Sequence, residues 1–334
     1  MPGTEHLDQK APARPIDRAR LPVLDLAPLF KNDTPARAGL EQRIREACLE
    51  TGFFYVYNSC IDERVIGDAL AAAQAFFGMP DDSPVKQAVH NRHSSGTKGW
   101  SPMFGEPAYQ PGTLAHVESF DLGQQLDTRR YRSLGVEPNI WPEIAGFREA
   151  VLTYYDAVTA MGRALAEVFS GMLGMDRDFI NRHSGERAPR TMRLLHYPAN
   201  QAPADDRHVG ISAHTDFECF TIICQTAGGL ELTNVEGEWC QAPAESGCLT
   251  VMLGDMLERF SNGCLQATGH RVANTSWQRL SMVLFFAVDG DFEVAPLAPF
   301  TGPDKPARFE PVTQDEHIRL ELERAAAHKQ SSLD

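Results

Sequence analysis

The sequence lacks any run of about 18 consecutive apolar residues, the length a membrane-crossing helix requires. It is also short of positive charge: 31 Lys and Arg stand against 45 Asp and Glu, a formal net charge of −14. Nucleic acids and anionic bilayers are bound through clustered Lys and Arg, so this balance argues against both as partners. The seven cysteines form an odd set with no Cys-x-x-Cys pair, which speaks against a disulfide framework and against a zinc knuckle. The first 20 residues contain no apolar core of the kind a secretory signal needs. A soluble cytoplasmic chain with reduced thiols is the expectation.

With 334 residues, 43% hydrophobic and 23% charged, the chain is long and apolar enough for a large core and too apolar for disorder. Residues 1–20 are polar and Pro-rich and read as a loose arm. Helices are expected over 35–51, where Leu40, Ile44 and Cys48 keep helical spacing, over 62–78, and over 142–174, closed by Gly174. Residues 53–57, Phe-Phe-Tyr-Val-Tyr, read as a buried strand. After residue 190 the period changes, and strand-like runs follow at 191–197, 211–224, 229–233, 248–253 and 279–288. Helices first and antiparallel-looking strands later predict an α+β chain with a jelly-roll catalytic half. The expected divisions are the arm, a mainly helical region 21–185, a catalytic core 186–295 and a C-terminal segment 296–334. Within that last segment, 314–328 reads as a charged amphipathic helix, by default on the surface, with the barrel mouth as the alternative.

In Ile211-Ser212-Ala213-His214-Thr215-Asp216, a His and an Asp stand two apart, which on a strand puts both on one face. With His270 they could complete the two-His, one-carboxylate set that binds non-haem Fe(II) and leaves coordination positions open. Such a pair also occurs by chance, and the chain has 11 histidines. Arg279 and Ser281, again two apart, open an apolar strand and offer a guanidinium fork beside a hydroxyl, a good carboxylate receptor. Tyr197 can add a hydroxyl donor or serve as a core tyrosine.

These residues, in this order, resemble the isopenicillin N synthase-like, plant-type Fe(II)/2-oxoglutarate dioxygenases. The resemblance rests on Leu21-Pro22-Val23-Leu24-Asp25-Leu26, Gly52-Phe53-Phe54-Tyr55-Val56, Glu118-Ser119-Phe120-Asp121-Leu122-Gly123, His214-Thr215-Asp216, Gly228-Gly229-Leu230, Gly254-Asp255, Ser261-Asn262-Gly263, His270-Arg271-Val272 and Arg279-x-Ser281. It implies a double-stranded β-helix wrapped by N-terminal helices, with Fe(II) on His214, Asp216 and His270. It further implies that Arg279 and Ser281, assisted by Tyr197, hold the distal carboxylate of 2-oxoglutarate. The implied reaction consumes O2, converts 2-oxoglutarate to succinate and CO2, and oxidises, most simply hydroxylates, a C–H bond of a small molecule. One departure is Leu195, where plant members often carry Asn.

Strand parity extends the reading to the substrate. Arg193 and Leu195 share a face with Tyr197, and Val283 and Phe285 with Ser281. Arg193 is therefore expected to read an anionic or carbonyl group, with Phe285 as an apolar wall; the alternative is an internal pair with a carboxylate such as Glu218. The Gly-, Ser- and Pro-rich stretch 94–112 is expected as a loop at the pocket mouth, with Trp100, Phe104 and Tyr109 either contacting substrate or capping the helical layer. Two other functions remain open at this point: an Fe(II) oxidase or cyclase of the same family that needs no 2-oxoglutarate, and a jelly-roll binding or sensor protein without turnover. No residue pattern selects an oligomeric state or a primary substrate.

Overall fold

The computed structural model describes residues 7–17, 21–31, 33–94, 98–200 and 207–333. Residues 1–6 and 18–20 of the expected arm, and 95–97 of the expected loop, lie outside them. Two sheets carry the fold. The major sheet has eight strands: β2 (Val23–Asp25), β3 (Phe53–Tyr57), β4 (Gly99–Ser101), β5 (Glu118–Leu122), β6 (Met192–Tyr197), β8 (Phe220–Gln225), β11 (Leu249–Leu253) and β13 (Arg279–Phe286). Their order across the sheet is β2-β3-β11-β8-β13-β6-β5-β4. The minor sheet comprises β1 (Arg14–Pro15), β7 (Ile211–His214), β9 (Leu230–Thr233), β10 (Trp239–Ala242) and β12 (His270–Val272), in the order β1-β10-β9-β12-β7.

Alternation along each strand sorts side chains between two environments. On β13, Leu280, Met282, Leu284 and Phe286 join the large core under the helices, while Arg279, Ser281, Val283 and Phe285 line a cavity on the opposite face. On β6, Met192 and Leu194 face the helices, and Arg193, Leu195 and Tyr197 face the cavity. A one-residue slip would exchange the two sets, so the apolar face holds the register of the polar one.

Three helices pack on the outer face of the major sheet: α1 (Thr34–Glu50), α2 (Glu63–Phe77) and α3 (Phe147–Met172). Helix α3 buries Phe147, Val151, Tyr154, Val158, Met161 and Leu165 along one stripe. It starts at residue 147 and not at 142, because Gly146 adopts a left-handed φ of 76° and breaks the helix after the Pro142–Ile144 turn. At Gly162 an added Cβ would stand 2.6 Å from the Phe286 ring, so only glycine lets helix and sheet approach this closely.

The catalytic sheet is not confined to 186–295: β2 to β5, all from the region expected to be mainly helical, supply half of its eight strands. Nor is the described part of the N-terminal arm loose. Residues 14–15 pair with Cys240 and Gln241, and Leu7 is buried. Arg271 donates to the backbone carbonyls of Asp8, Gln9 and Ala11. The run expected at 211–224 splits into β7 and β8, one in each sheet. The C-terminal helix, α4 (Gln314–Leu333), does not lie free on the surface: Ile318 and Leu322 close one side of the cavity. No helix among the described residues is long and apolar enough to cross a membrane.

Candidate active site

The cavity between the sheets encloses about 1040 Å³ of empty space, its open mouth included. Ladder register assembles its floor. His270 on β12 stands opposite His214 at the end of β7, and their ring centroids are 4.0 Å apart. Asp216 does not share a strand face with His214, because β7 ends at His214 and Asp216 lies in the following link. The turn still brings its Oδ1 to 3.7 Å from His214 Nε2 and 3.4 Å from His270 Nε2. The three groups form a buried cluster whose ligand atoms all lie within 4.8 Å of one another.

Each imidazole is oriented from behind. His214 Nδ1 sits 2.8 Å from the Ser212 carbonyl and His270 Nδ1 3.2 Å from the Thr268 carbonyl, which places the proton on Nδ1 and leaves Nε2 as the lone-pair donor. The Thr221 hydroxyl donates to the outer oxygen of Asp216. Burial and the adjacent His270 hold the His214 pKa well below its ordinary value, so it is neutral, the form that binds a metal. The Tyr109 ring stacks on His214 at 4.1 Å and 10°.

Arg279 is only 2% exposed, in register with Tyr197 across the β13–β6 ladder. Its Nη2 donates to Ser281 Oγ at 2.8 Å and to Gln225 Oε1 at 3.1 Å. Its Nε and Nη1 have no partner, and no carboxylate among the described residues pairs with it. Gly229, with a φ of 125°, makes room here: a Cβ would fall 3.1 Å from Thr275 Cγ2 and 3.5 Å from Arg279 Cδ.

Arg193 lines the same cavity, but its charge is met within the protein. Nη2 lies 2.6 Å from Glu106 and Nε 3.0 Å from Asp121, its ladder neighbour. The internal pair therefore forms, with Glu106 and Asp121 in place of Glu218. Burial raises the Asp121 pKa to about 6 against the opposing pull of Arg193. Glu218 and Phe285 both line the cavity, Glu218 from the link after β7. Burial pushes the Glu218 carboxyl well above the ordinary range.

Trp100 and Phe104 do not reach the cavity. Trp100 is 1% exposed and donates its indole N–H to Glu118 on the helix-facing side of β5, where Lys86 and His196 complete a buried polar knot. Phe104 is 42% exposed and packs on the rings of His116 and His208. Of the three aromatics in that stretch, Tyr109 alone lines the pocket. Sequence reasoning missed Glu106, and it missed Asp121, although Glu118-Ser119-Phe120-Asp121-Leu122 alternates and puts Ser119 and Asp121 on one face.

A jelly roll whose cavity joins a two-His, one-carboxylate cluster to a buried guanidinium with two open nitrogens and no counter-ion defines the class: a non-haem iron oxygenase with a place for an anion in the same cavity. Residues 21–144 match the family described as non-haem dioxygenase in morphine synthesis N-terminal, and residues 188–288 match the 2OG-Fe(II) oxygenase superfamily. The chain is 32% identical to the 2-oxoglutarate-dependent dioxygenase citB of Monascus ruber, over 83% of this chain and 87% of that protein. It is 29% identical to the 2-oxoglutarate-Fe(II) type oxidoreductase hxnY of Emericella nidulans, over 93% and 90%. Among solved structures, a 2OG-Fe(II) oxygenase family protein from Caulobacter crescentus superposes with a TM-score of 0.77 at 28% identity, over 91% of this chain and 99% of that one. The chain belongs to the Fe(II)- and 2-oxoglutarate-dependent dioxygenases, and its cofactor and cosubstrate are Fe(II) and 2-oxoglutarate.

Proposed function

We propose that His214, Asp216 and His270 hold the iron, that Arg279, Ser281 and Tyr197 hold the distal carboxylate of 2-oxoglutarate, and that the enzyme hydroxylates a C–H bond of a small molecule. The observation that carries this reading is the two unpartnered nitrogens of Arg279, buried in the cavity that also holds the triad. A desolvated guanidinium without a counter-ion is unfavourable until an anion arrives, and a planar carboxylate fits its fork. Bound iron supplies the chemistry that couples oxidative decarboxylation of 2-oxoglutarate to attack on the substrate.

The chain's own groups do the rest. The neutral Nε2 atoms of His214 and His270 and one carboxylate oxygen of Asp216 would hold the iron and leave coordination positions open for cosubstrate and O2. Arg279 and Ser281 anchor one end of 2-oxoglutarate, which fixes where its keto-acid end can lie. Leu195, Ile223, Val283 and Phe285, with Ile318 and Leu322 of α4, give the cavity apolar walls, which disfavour water at a reactive site. An oxidase that ignores 2-oxoglutarate could use Arg279 only for an acid group of its own substrate, so dependence of O2 uptake on 2-oxoglutarate separates the two readings.

The test is an anaerobic visible titration of the metal-free protein with Fe(II) and then 2-oxoglutarate. A metal-to-ligand charge-transfer band that His214→Ala abolishes supports the reading. Iron binding without the band favours the oxidase, and no iron binding overturns the assignment.

A further inference from the structure

The two histidines assigned to iron stand opposite each other on β7 and β12, but Asp216 lies beyond the end of β7, where no ladder fixes it. The link from Asp216 to Cys219 is held instead at each of its four carbonyl oxygens. Three of the donors come from one turn. The Asp255 N–H donates to Asp216 at 2.9 Å, the Met256 N–H to Glu218 at 3.0 Å and the Gly254 N–H to Cys219 at 2.8 Å. A Cβ at residue 254 would clash with the Glu218 carbonyl, so glycine lets turn and link meet. The fourth carbonyl, that of Phe217, accepts from the side-chain amide of Gln314 at 2.8 Å.

Gln314 is the first residue of α4, about 100 positions further along the chain. One helical turn on, His317 Nε2 donates to Asp255 Oδ2 at 2.7 Å, which ties the turn to the same helix, and its ring packs edge-on against that of Phe217. Helix α4 thus grips the link directly through Gln314 and indirectly through His317 and Asp255. Gln314 is fully buried, and its amide oxygen has no partner. An orphaned buried acceptor costs stability, so packing alone is a poor reason for an amide here; its donor to the Phe217 carbonyl is the group with a use.

Resting on the iron assignment above, we infer that Gln314 and His317 are positioning residues for Asp216: they fix the link that carries the carboxylate ligand, so the C-terminal helix sets iron affinity without supplying a ligand itself. Groups behind a metal ligand typically change affinity by about 10- to 100-fold when removed.

The experiment measures Fe(II) affinity without oxygen, by competition with a chromogenic chelator, beside thermal melts of the metal-free proteins. Gln314→Met and His317→Leu should each bind Fe(II) about tenfold more weakly than the parent. His317→Gln, which keeps an N–H donor near the place of Nε2, should recover most of the loss at that position. A variant that melts lower yet binds Fe(II) like the parent shows a purely structural role and overturns the inference, as does a loss at His317 that Gln does not recover. Hydrogen exchange on the parent keeps the test open if a variant fails to fold. Coupling between sites is reciprocal, so Fe(II) should slow exchange of the Asp255 and Met256 amide protons and of the first turn of α4. Exchange there that Fe(II) leaves unchanged, in a parent that binds it, overturns the inference alone. A parent that binds no Fe(II) overturns the iron assignment and this inference with it.

Discussion

The guanidinium carbon of Arg279 lies 4.5 Å from the centre of the Tyr197 ring, and the two residues are direct partners across the ladder of β13 and β6. The ring shields one face of the cation, Ser281 and Gln225 take one nitrogen, and the other two nitrogens stay open. If this arrangement serves a ligand as proposed, it leads to the first prediction.

Arg279→Met should weaken 2-oxoglutarate binding about a hundredfold or more, while the cofactor-free protein keeps or gains stability. Burial lowers the Arg279 pKa, a sign that its charge is held at a cost. Thermal melts without cofactor and a 2-oxoglutarate titration check this. A large loss of stability with binding retained would mean that Arg279 serves the structure.

Arg193→Ala should act in the opposite way. It strands Glu106 and Asp121 as unpaired buried carboxylates, and breaking a buried pair by removing one partner costs about 3–5 kcal/mol. Urea unfolding should show that loss, and adding Asp121→Asn to Arg193→Ala should recover part of it. A variant as stable as the parent would show that water reaches the pair freely.

Asp121 also predicts a pH dependence of stability. Its folded pKa is about 6 against an ordinary 3.8, chiefly through burial, so between about pH 4 and 6 the folded state keeps a proton that the unfolded chain has released. Where the folded state binds more protons, stability falls as pH rises. This contribution should therefore decline from pH 4 to 6 and level off above. Glu118 has the opposite slope, its pKa being held below the ordinary range by His196 and Lys86 against its desolvation. The difference between parent and Asp121→Asn in unfolding free energy isolates the Asp121 part; a difference that does not change with pH refutes it.

The arm should matter to the metal. Arg271, next to His270, pairs with Glu231 at 2.6 Å and stacks on Trp239 while it binds the arm's carbonyls. Gln9 in turn accepts from the Ala213 N–H, beside His214. Arg271→Ala should free the arm to proteolysis and weaken Fe(II) binding about tenfold, the usual size of effects from groups behind a ligand. Unchanged iron affinity with a released arm would separate the two roles.

Local pattern carried a great deal. Helical spacing of Leu40, Ile44 and Cys48 located α1, and the period-two alternation in Arg279-Leu280-Ser281 placed Arg279 and Ser281 on one face, because both signals depend only on neighbours in the chain. The chemistry of the proposed triad was legible for a similar reason, since few residue types bind iron and two of its three residues lie two positions apart. Its geometry was not: Asp216 lies beyond the end of β7 and reaches the histidines through a turn.

Long-range pairing decided the rest. Nothing near Arg193 in sequence announces Glu106 or Asp121, which the β5–β6 ladder and the preceding loop bring to it; the expected free anion receptor became a closed ion pair. Trp100 and Phe104 resemble pocket aromatics until β4 joins the sheet edge and turns Trp100 onto Glu118. The amphipathic C-terminal stretch could have covered any apolar surface, and tertiary packing set its Ile318 and Leu322 against the cavity. The sequence by itself determined the class of fold, the metal-binding residue types and the faces of the strands, all properties of short-range periodicity and side-chain chemistry. Only the tertiary structure decided which charges are spent within the protein, like Arg193, and which keep open atoms, like Arg279, because that depends on which distant strand, loop or helix packs beside each group.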